Sequence, residues 1–193
     1  MTPIHSLAVF CGSRLGVNPA YAKAGRALGH GLGQAGIRLV FGGGRIGIMG
    51  VVADAVLETG GEVLGVIPQF LTQWEIAHPN VTEMVVTDSM HTRKRRLYEE
   101  SDAFLIMPGG LGTFDEAFEI ITWRQLGLHD KPILLCNVAG SIEPFVATID
   151  HAIAHGFAET GSRALFEVIQ GVPAVLERLK TLPAGSGGPA ERL

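Results

Sequence analysis

An α/β fold, with a mostly parallel sheet covered by helices on both faces, is predicted by two features of the sequence. Short β-rich runs recur along the chain, separated by segments long enough for a helix or a crossing loop. Several of these runs are apolar throughout instead of alternating, the pattern of strands buried on both faces. Together they define a Rossmann-like, doubly wound architecture.

The first strand is predicted at residues 7–11, the second at 37–41 and the third at 63–67. A fourth, at 81–86, carries Thr82 and Glu83 and is placed near an edge. The fifth and sixth follow at 103–107 and 133–136, and a weaker run at 166–169 closes the sheet. Between the fourth and fifth strands, residues 89–101 are predicted helical, with Asp88 or Ser89 as the N-cap and Met90, Leu97 and Ser101 on one stripe. A further helix is predicted over residues 113–125. On a helical wheel, Ala117, Phe118 and Ile121 form one apolar face, and Glu116, Glu119, Ile120 and Trp123 form the other. Both faces are therefore expected to be covered, with a dimer contact on this helix.

At 193 residues with 47% hydrophobic content, the chain is sized for one domain, assigned to residues 1–182. Residues 183–193, PAGSGGPAERL, are rich in Gly and Pro and are predicted to be a disordered tail. A formal charge of −4 gives no support to a nucleic-acid or membrane surface, so any anion must be held by a local site. Cys11 and Cys136 each stand at the end of an apolar run, which suits buried thiols in a reducing compartment. Neither a signal peptide nor a membrane span is visible, and the expected location is the cytoplasm.

In doubly wound sheets ligands bind beyond the carboxyl ends of the strands. The loops there are CGSRLG, FGGGRIGIMG, IPQFLTQWE, TDSMHTRKRR and MPGGLGTFDE. Gly42, Gly44 and Gly47 satisfy G-x-G-x-x-G, which suits a backbone approach to phosphate, with tight turns and close helix packing as the lesser alternative. NAD is disfavoured, because the pattern does not follow the first strand and the next strand ends in Ile67 and Pro68 without an acidic residue. No G-K-[ST] marks a P-loop.

PGGLGT, residues 108–113, is sharper. Its three glycines free a concave run of N–H groups, and the helix that follows adds its positive dipole end, making a phosphate cradle. Thr113 either donates its hydroxyl to the anion or caps the helix, since Thr113-x-x-Glu116 is also a capping box. Glu116 thus has a structural and a functional reading. Among the basic residues, Arg95 and Arg96 suit a solvated face, whereas Arg93 is the candidate ligand, because a buried guanidinium requires an anionic or hydrogen-bonding partner. His151 and His155 lack the Glu and third ligand of a zinc site, so no metal and no cofactor is expected. Without a G-x-S-x-G elbow or a His partner for Cys11, covalent acyl transfer has little support.

FGGGRIGIMG, SMHTRKRR and PGGLGTFDE, in this order, resemble the Lonely-Guy family, once labelled lysine decarboxylase. The likeness extends over residues 7–179, and P-G-G-x-G-T-x-x-E is met at every fixed position. It implies hydrolysis of cytokinin riboside 5′-monophosphates, often with AMP accepted, by a homodimer. By position, Arg93 and Glu116 would be the catalytic pair. The nucleotide site would include Glu75, Lys94, Gly109, Gly110, Leu111, Gly112, Thr113, Phe114, Asp115 and Thr122, with Ser13, Gly43, Gly44, Gly47 and Met49 lining the same cleft. Leu111, Ser89 and the Phe114–Asp115 pair depart from the usual family residues and leave the phosphate motif intact.

Breaking a glycosidic bond develops positive charge on the ribose and negative charge on the departing base. A carboxylate such as Glu116 near the sugar and a cation such as Arg93 near the base would both favour that transition state. The rival expectation is a non-catalytic nucleotide-binding or carrier protein, which needs the glycine-rich loops but not Arg93 and Glu116 together.

Overall fold

The computed structural model describes residues 3–72 and 77–185. Seven strands form one parallel sheet in the order β4-β3-β2-β1-β5-β6-β7, with β1 at Ser6–Phe10, β2 at Arg38–Phe41, β3 at Val63–Pro68 and β4 at Glu83–Thr87. β5 at Ala103–Ile106, β6 at Ile133–Asn137 and β7 at Glu167–Gln170 complete it. All seven predicted strands are present, each within two residues of its expected ends. β4, with its exposed Val86, and β7 are the edges.

Helices α1 (Pro19–Gln34), α2 (Gly47–Glu58) and α6 (Gly171–Leu179) cover one face through Leu28, Leu32, Val52, Val56 and Val175. On the other lie α3 (Met90–Glu99), α4 (Leu111–Gln125) and α5 (Glu143–Ala154), with Leu97, Ala117, Ile120, Ile121 and Phe145 packed inward. Central strands are therefore dry on both sides, as their unbroken apolar sequences require. α1 and α2 pack closely because Gly29 has no side chain: a Cβ there would strike the carbonyl of Val52.

Local signals set the ends. Asn18 caps α1, accepting from the Ala20 N–H at 2.9 Å, with Pro19 in the first turn. Ser89 caps α3 by accepting from the Thr92 N–H at 3.1 Å, as one of the two expected caps. Asp102, just before β5, accepts from the N–H groups of His5 and Ser6 at 2.8 and 2.9 Å and so fixes the start of β1 against β5.

Two expectations about α4 are corrected. The helix begins at Leu111 with Gly110 as its N-cap, two residues earlier than the sequence suggests. Thr113 therefore lies inside the first turn and the Thr113-x-x-Glu116 capping box does not form. Its buried stripe is Thr113, Ala117, Ile120 and Ile121, whereas Phe118, expected beside Ala117, is 39% exposed and rests on Phe145 at the edge. The wheel erred because Ile120 lies angularly between the two proposed faces. Residues 183–185 of the expected disordered tail are described, without helix or strand, and the remainder lies outside the described residues.

Candidate active site

The strand order reverses between β1 and β5, and the loops leaving these two strands diverge to opposite sides of the sheet. A cleft of about 640 Å³ opens there, lined by Gly12, Ser13, Arg14, Leu15, Gly16 and Tyr21 on one side, Pro108, Gly109, Gly110 and Leu111 on the other, and by Ile48 and Ser141. The loops meet at its floor, where the Gly12 N–H donates to the Pro108 carbonyl at 3.0 Å.

α4 points its N-terminus into this cleft. The Phe114 N–H, donating to the Gly110 carbonyl at 3.0 Å, is the first to enter the helical ladder. The N–H groups of Leu111, Gly112 and Thr113 precede it and are left over at the positive end of the helix dipole. Gly110 and Gly112 have open space where a Cβ would stand, and Gly109 must lack one because the Thr113 side chain folds over it. Among the described residues no side chain caps the helix. The arrangement suits an anion.

The second glycine-rich loop behaves differently. The N–H groups of Ile48 and Met49, at the start of α2, both donate to the Gly12 carbonyl, at 2.9 and 3.4 Å. That helix end is spent on the protein itself. Gly47, at φ +66°, lies so close to Ser13 and Arg14 that a Cβ would strike their backbone. Gly43, at φ +79°, accepts from the His78 N–H at 2.9 Å, and Gly44 bridges to Ala77. Of the residues assigned to line one cleft, Ser13 does so, whereas Gly43, Gly44, Gly47 and Met49 form the packed support behind it. G-x-G-x-x-G here serves tight turns and close helix packing.

Arg93 and Glu116 are brought together. Arg93 Nη1 lies 3.1 Å from Glu116 Oε1, and their side chains are only 8% and 12% exposed. Arg93 Nε donates to the Val66 carbonyl of β3 at 3.1 Å, and Nη2 occupies the space above Gly42 that a Cβ would fill. The partner required of a buried guanidinium is thus Glu116, and the carboxylate thought to cap its own helix reaches across to α3.

Lys94, on the same helix, bridges Asp115 at 2.8 Å and Glu119 at 3.3 Å. Burial pulls its pKa down, but the hydrogen bonds and charges of these two carboxylates outweigh burial and raise it, so the ammonium is retained. Glu119 is pushed up by burial, with Lys94 opposing. Cys11 is raised by burial and by the Glu116 charge, leaving a neutral thiol and no nucleophile. Arg95 and Arg96 pair with Glu99 and Glu100 along the outside of α3, the solvated face expected of them.

Phe114 turns its ring toward Phe145 on α5, and Thr122 is exposed on the outside of α4, so neither lines the cleft. Arg93, Lys94, Gly112, Thr113, Asp115 and Glu116 are not among its lining residues either, and Lys94 and Glu116 face a small pocket beside Tyr98 and Trp123. Glu75 lies outside the described residues. Gly12, Arg14, Leu15, Gly16, Tyr21, Ile48, Pro108 and Ser141 line the cleft but are not among the candidate residues. Most lie within the loops already singled out, CGSRLG, FGGGRIGIMG and PGGLGT. Ser141 comes from the loop after β6, which is also at the carboxyl end of the sheet and could have been found by that rule.

Residues 49–179 match the protein family described as "Possible lysine decarboxylase". The chain is 43% identical over 176 residues to a cytokinin riboside 5′-monophosphate phosphoribohydrolase of Arabidopsis thaliana, covering 91% of this chain and 80% of the relative. With the enzyme of the same description from Rhodococcoides fascians it shares 38% over 177 residues, covering 91% and 89%. Among solved structures, the molybdenum cofactor binding protein from Rippkaea orientalis superposes with a TM-score of 0.68 at 20% identity, over 94% of this chain and 97% of that one, a likeness of fold.

Proposed function

Because the chain belongs to the Lonely-Guy family of cytokinin riboside 5′-monophosphate phosphoribohydrolases, we propose that it hydrolyses the N-glycosidic bond of these nucleotides, releasing free base and ribose 5-phosphate. The observation that carries this reading is the Arg93–Glu116 pair, largely buried and held at 3.1 Å, in which Arg93 of α3 meets Glu116 of α4, the helix whose N-terminus faces the cleft. Glu116 follows Leu111 by about one and a half turns, so phosphate and carboxylate are separated by roughly the span of a ribose.

The 5′-phosphate binds the N–H groups from Gly109 to Thr113, with Ser13 opposite. That contact supplies binding energy remote from the reacting bond and orients the sugar. Glu116 faces the ribose, stabilises its oxocarbenium character and aligns the attacking water. The water oxygen bonds to C1′ as the C1′–N bond breaks; one water hydrogen stays on the new 1′-hydroxyl and the other proton ends on the departing nitrogen. Arg93 favours the negative charge that builds on the base. Lys94, Phe114, Asp115, Thr122 and Glu75 belong to the wider nucleotide site, while Gly43, Gly44, Gly47 and Met49 act by shaping its support. No cofactor takes part.

AMP is accepted as well. The working unit is a homodimer joined through the outer side of α4, where Leu111 is 88% exposed, Phe118 39% and Leu126, just beyond the helix, 67%. Buried, unpaired Cys11 and Cys136 support a cytoplasmic location.

The test is release of free base from AMP and from isopentenyladenine riboside monophosphate, with adenosine in parallel. Both nucleotides are expected to turn over, and kcat/KM for adenosine should fall at least ~10²-fold below AMP, because the phosphate contact is lost. Equal kcat/KM for AMP and adenosine would overturn the phosphate assignment. Light scattering at micromolar concentration should give a dimer; a fully active monomer would remove that part of the proposal.

A further inference from the structure

A phosphate monoester carries about −1.5 to −2 charge near neutral pH, whereas a helix N-terminus offers only roughly half a positive charge. The α4 end therefore leaves a phosphate short of positive charge. The other helix end nearby is no help, since Ile48 and Met49 donate to the Gly12 carbonyl. Of the cations around the site, Arg93 is held by Glu116 and Val66, and Lys94 by Asp115 and Glu119.

Arg14 is placed otherwise. It lines the cleft opposite Gly109, Gly110 and Leu111, its residue is exposed, and among the described residues it has no carboxylate partner. Its backbone is fixed, because α2 lies against it at Gly47 and the adjoining Gly12 is bonded to Pro108. The long side chain above that fixed point remains able to swing. Arg45, in the second loop, also lacks a carboxylate partner among the described residues but does not line the cleft.

We propose that Arg14 is the cationic partner of the substrate's 5′-phosphate, closing over it from the β1 loop while the α4 N–H groups hold it from below. This rests on the phosphate reading of the cleft. The guanidinium fork suits two phosphate oxygens at once, a geometry a lysine ammonium does not reproduce. Arg14 touches the part of the substrate that does not change during the reaction. It therefore sets KM and the preference for nucleotide over nucleoside, not the rate of bond breaking.

The experiment compares wild type with Arg14→Gln, Arg14→Lys and Arg45→Gln, measuring kcat and KM for AMP, kcat/KM for adenosine, and inhibition by inorganic phosphate. Losing a charge-assisted hydrogen-bonded contact should raise KM for AMP by roughly 10- to 100-fold in Arg14→Gln, with kcat within about 3-fold of wild type. Adenosine turnover should be unchanged, so the nucleotide preference shrinks, and phosphate inhibition should weaken in parallel. Arg14→Lys should recover part of the loss, and Arg45→Gln should match wild type. If wild type prefers AMP but Arg14→Gln keeps its KM, or Arg45→Gln loses as much, the assignment of Arg14 is overturned while the phosphate cradle stands. If wild type itself does not distinguish AMP from adenosine, the underlying reading fails first.

Discussion

Replacing Glu116 by Gln removes one charge and almost no volume, and its consequences follow from the pair it belongs to. At 3.1 Å and an effective dielectric of 20, the attraction between Arg93 and Glu116 is roughly 5 kcal/mol before desolvation is charged against it. With side chains 8% and 12% exposed, much of that attraction offsets the cost of having taken both groups out of water. Gln keeps an acceptor for the guanidinium, so the expected loss of stability is about 2 kcal/mol, short of the 3–5 kcal/mol typical of deleting one partner outright. The absence of a capping box removes the alternative by which Gln would be neutral. For catalysis, a carboxylate about 4 Å from a cationic ribose contributes up to about 4 kcal/mol at the same dielectric, which sets a fall in kcat of roughly 10²- to 10³-fold. Chromatographic assay of free base gives kcat, and urea unfolding gives stability. KM should move little, because the phosphate contacts are intact. The double variant Arg93→Met/Glu116→Gln should regain stability without regaining activity. A folded Glu116→Gln protein with kcat within about 3-fold of wild type would refute the catalytic role.

Gly42→Ala places a Cβ where Arg93 Nη2 now lies, and the guanidinium, as the end of a flexible side chain, should yield. We expect kcat to fall at least ~10-fold for a stability change of about 1 kcal/mol, measured by turnover and thermal unfolding; unchanged turnover would mean that the position of Arg93 is unimportant. Buried Lys131 donates to the Tyr98 carbonyl at 2.7 Å, and burial pulls its pKa from 10.5 to about 8, with Asp102, Glu99 and Asp130 opposing. Between pH 8 and 10.5 the unfolded chain then binds more protons than the folded one, so rising pH favours folding in that window. Urea titrations should show wild type gaining on Lys131→Met between about pH 8 and 10.5, and a constant difference would contradict it.

The strands were legible because burial on both faces leaves an unbroken apolar sequence, and no other element of this chain does so as clearly. β4 could be placed at an edge from Thr82 and Glu83, since a side chain facing water tolerates polarity. Ser89 was legible as a cap because its chemistry is local. The start of α4 was not. Gly110 caps by backbone conformation alone, and glycine permits so many conformations that its sequence neighbours do not reveal which one is used. The short Thr113-x-x-Glu116 signal then pointed two residues too far along. Arg93 could be nominated from the cost of burying a cation, but its partner is on another helix, and no spacing within one segment records that. The two glycine-rich loops look alike in sequence for the same reason: whether the N–H groups of a helix end meet a ligand or the Gly12 carbonyl depends on tertiary placement.

The tether from Arg93 Nε to the Val66 carbonyl has an implication for what this site will tolerate. A guanidinium moored to the backbone of a central sheet cannot follow a substrate that arrives out of register. If Arg93 and the α4 end act as proposed, only a nucleotide whose base reaches that fixed point, while its phosphate is seated on α4, receives help in leaving. Tolerance is therefore set by the distance between two anchored ends of the substrate, and variation in the base should be accepted wherever it leaves that distance unaltered.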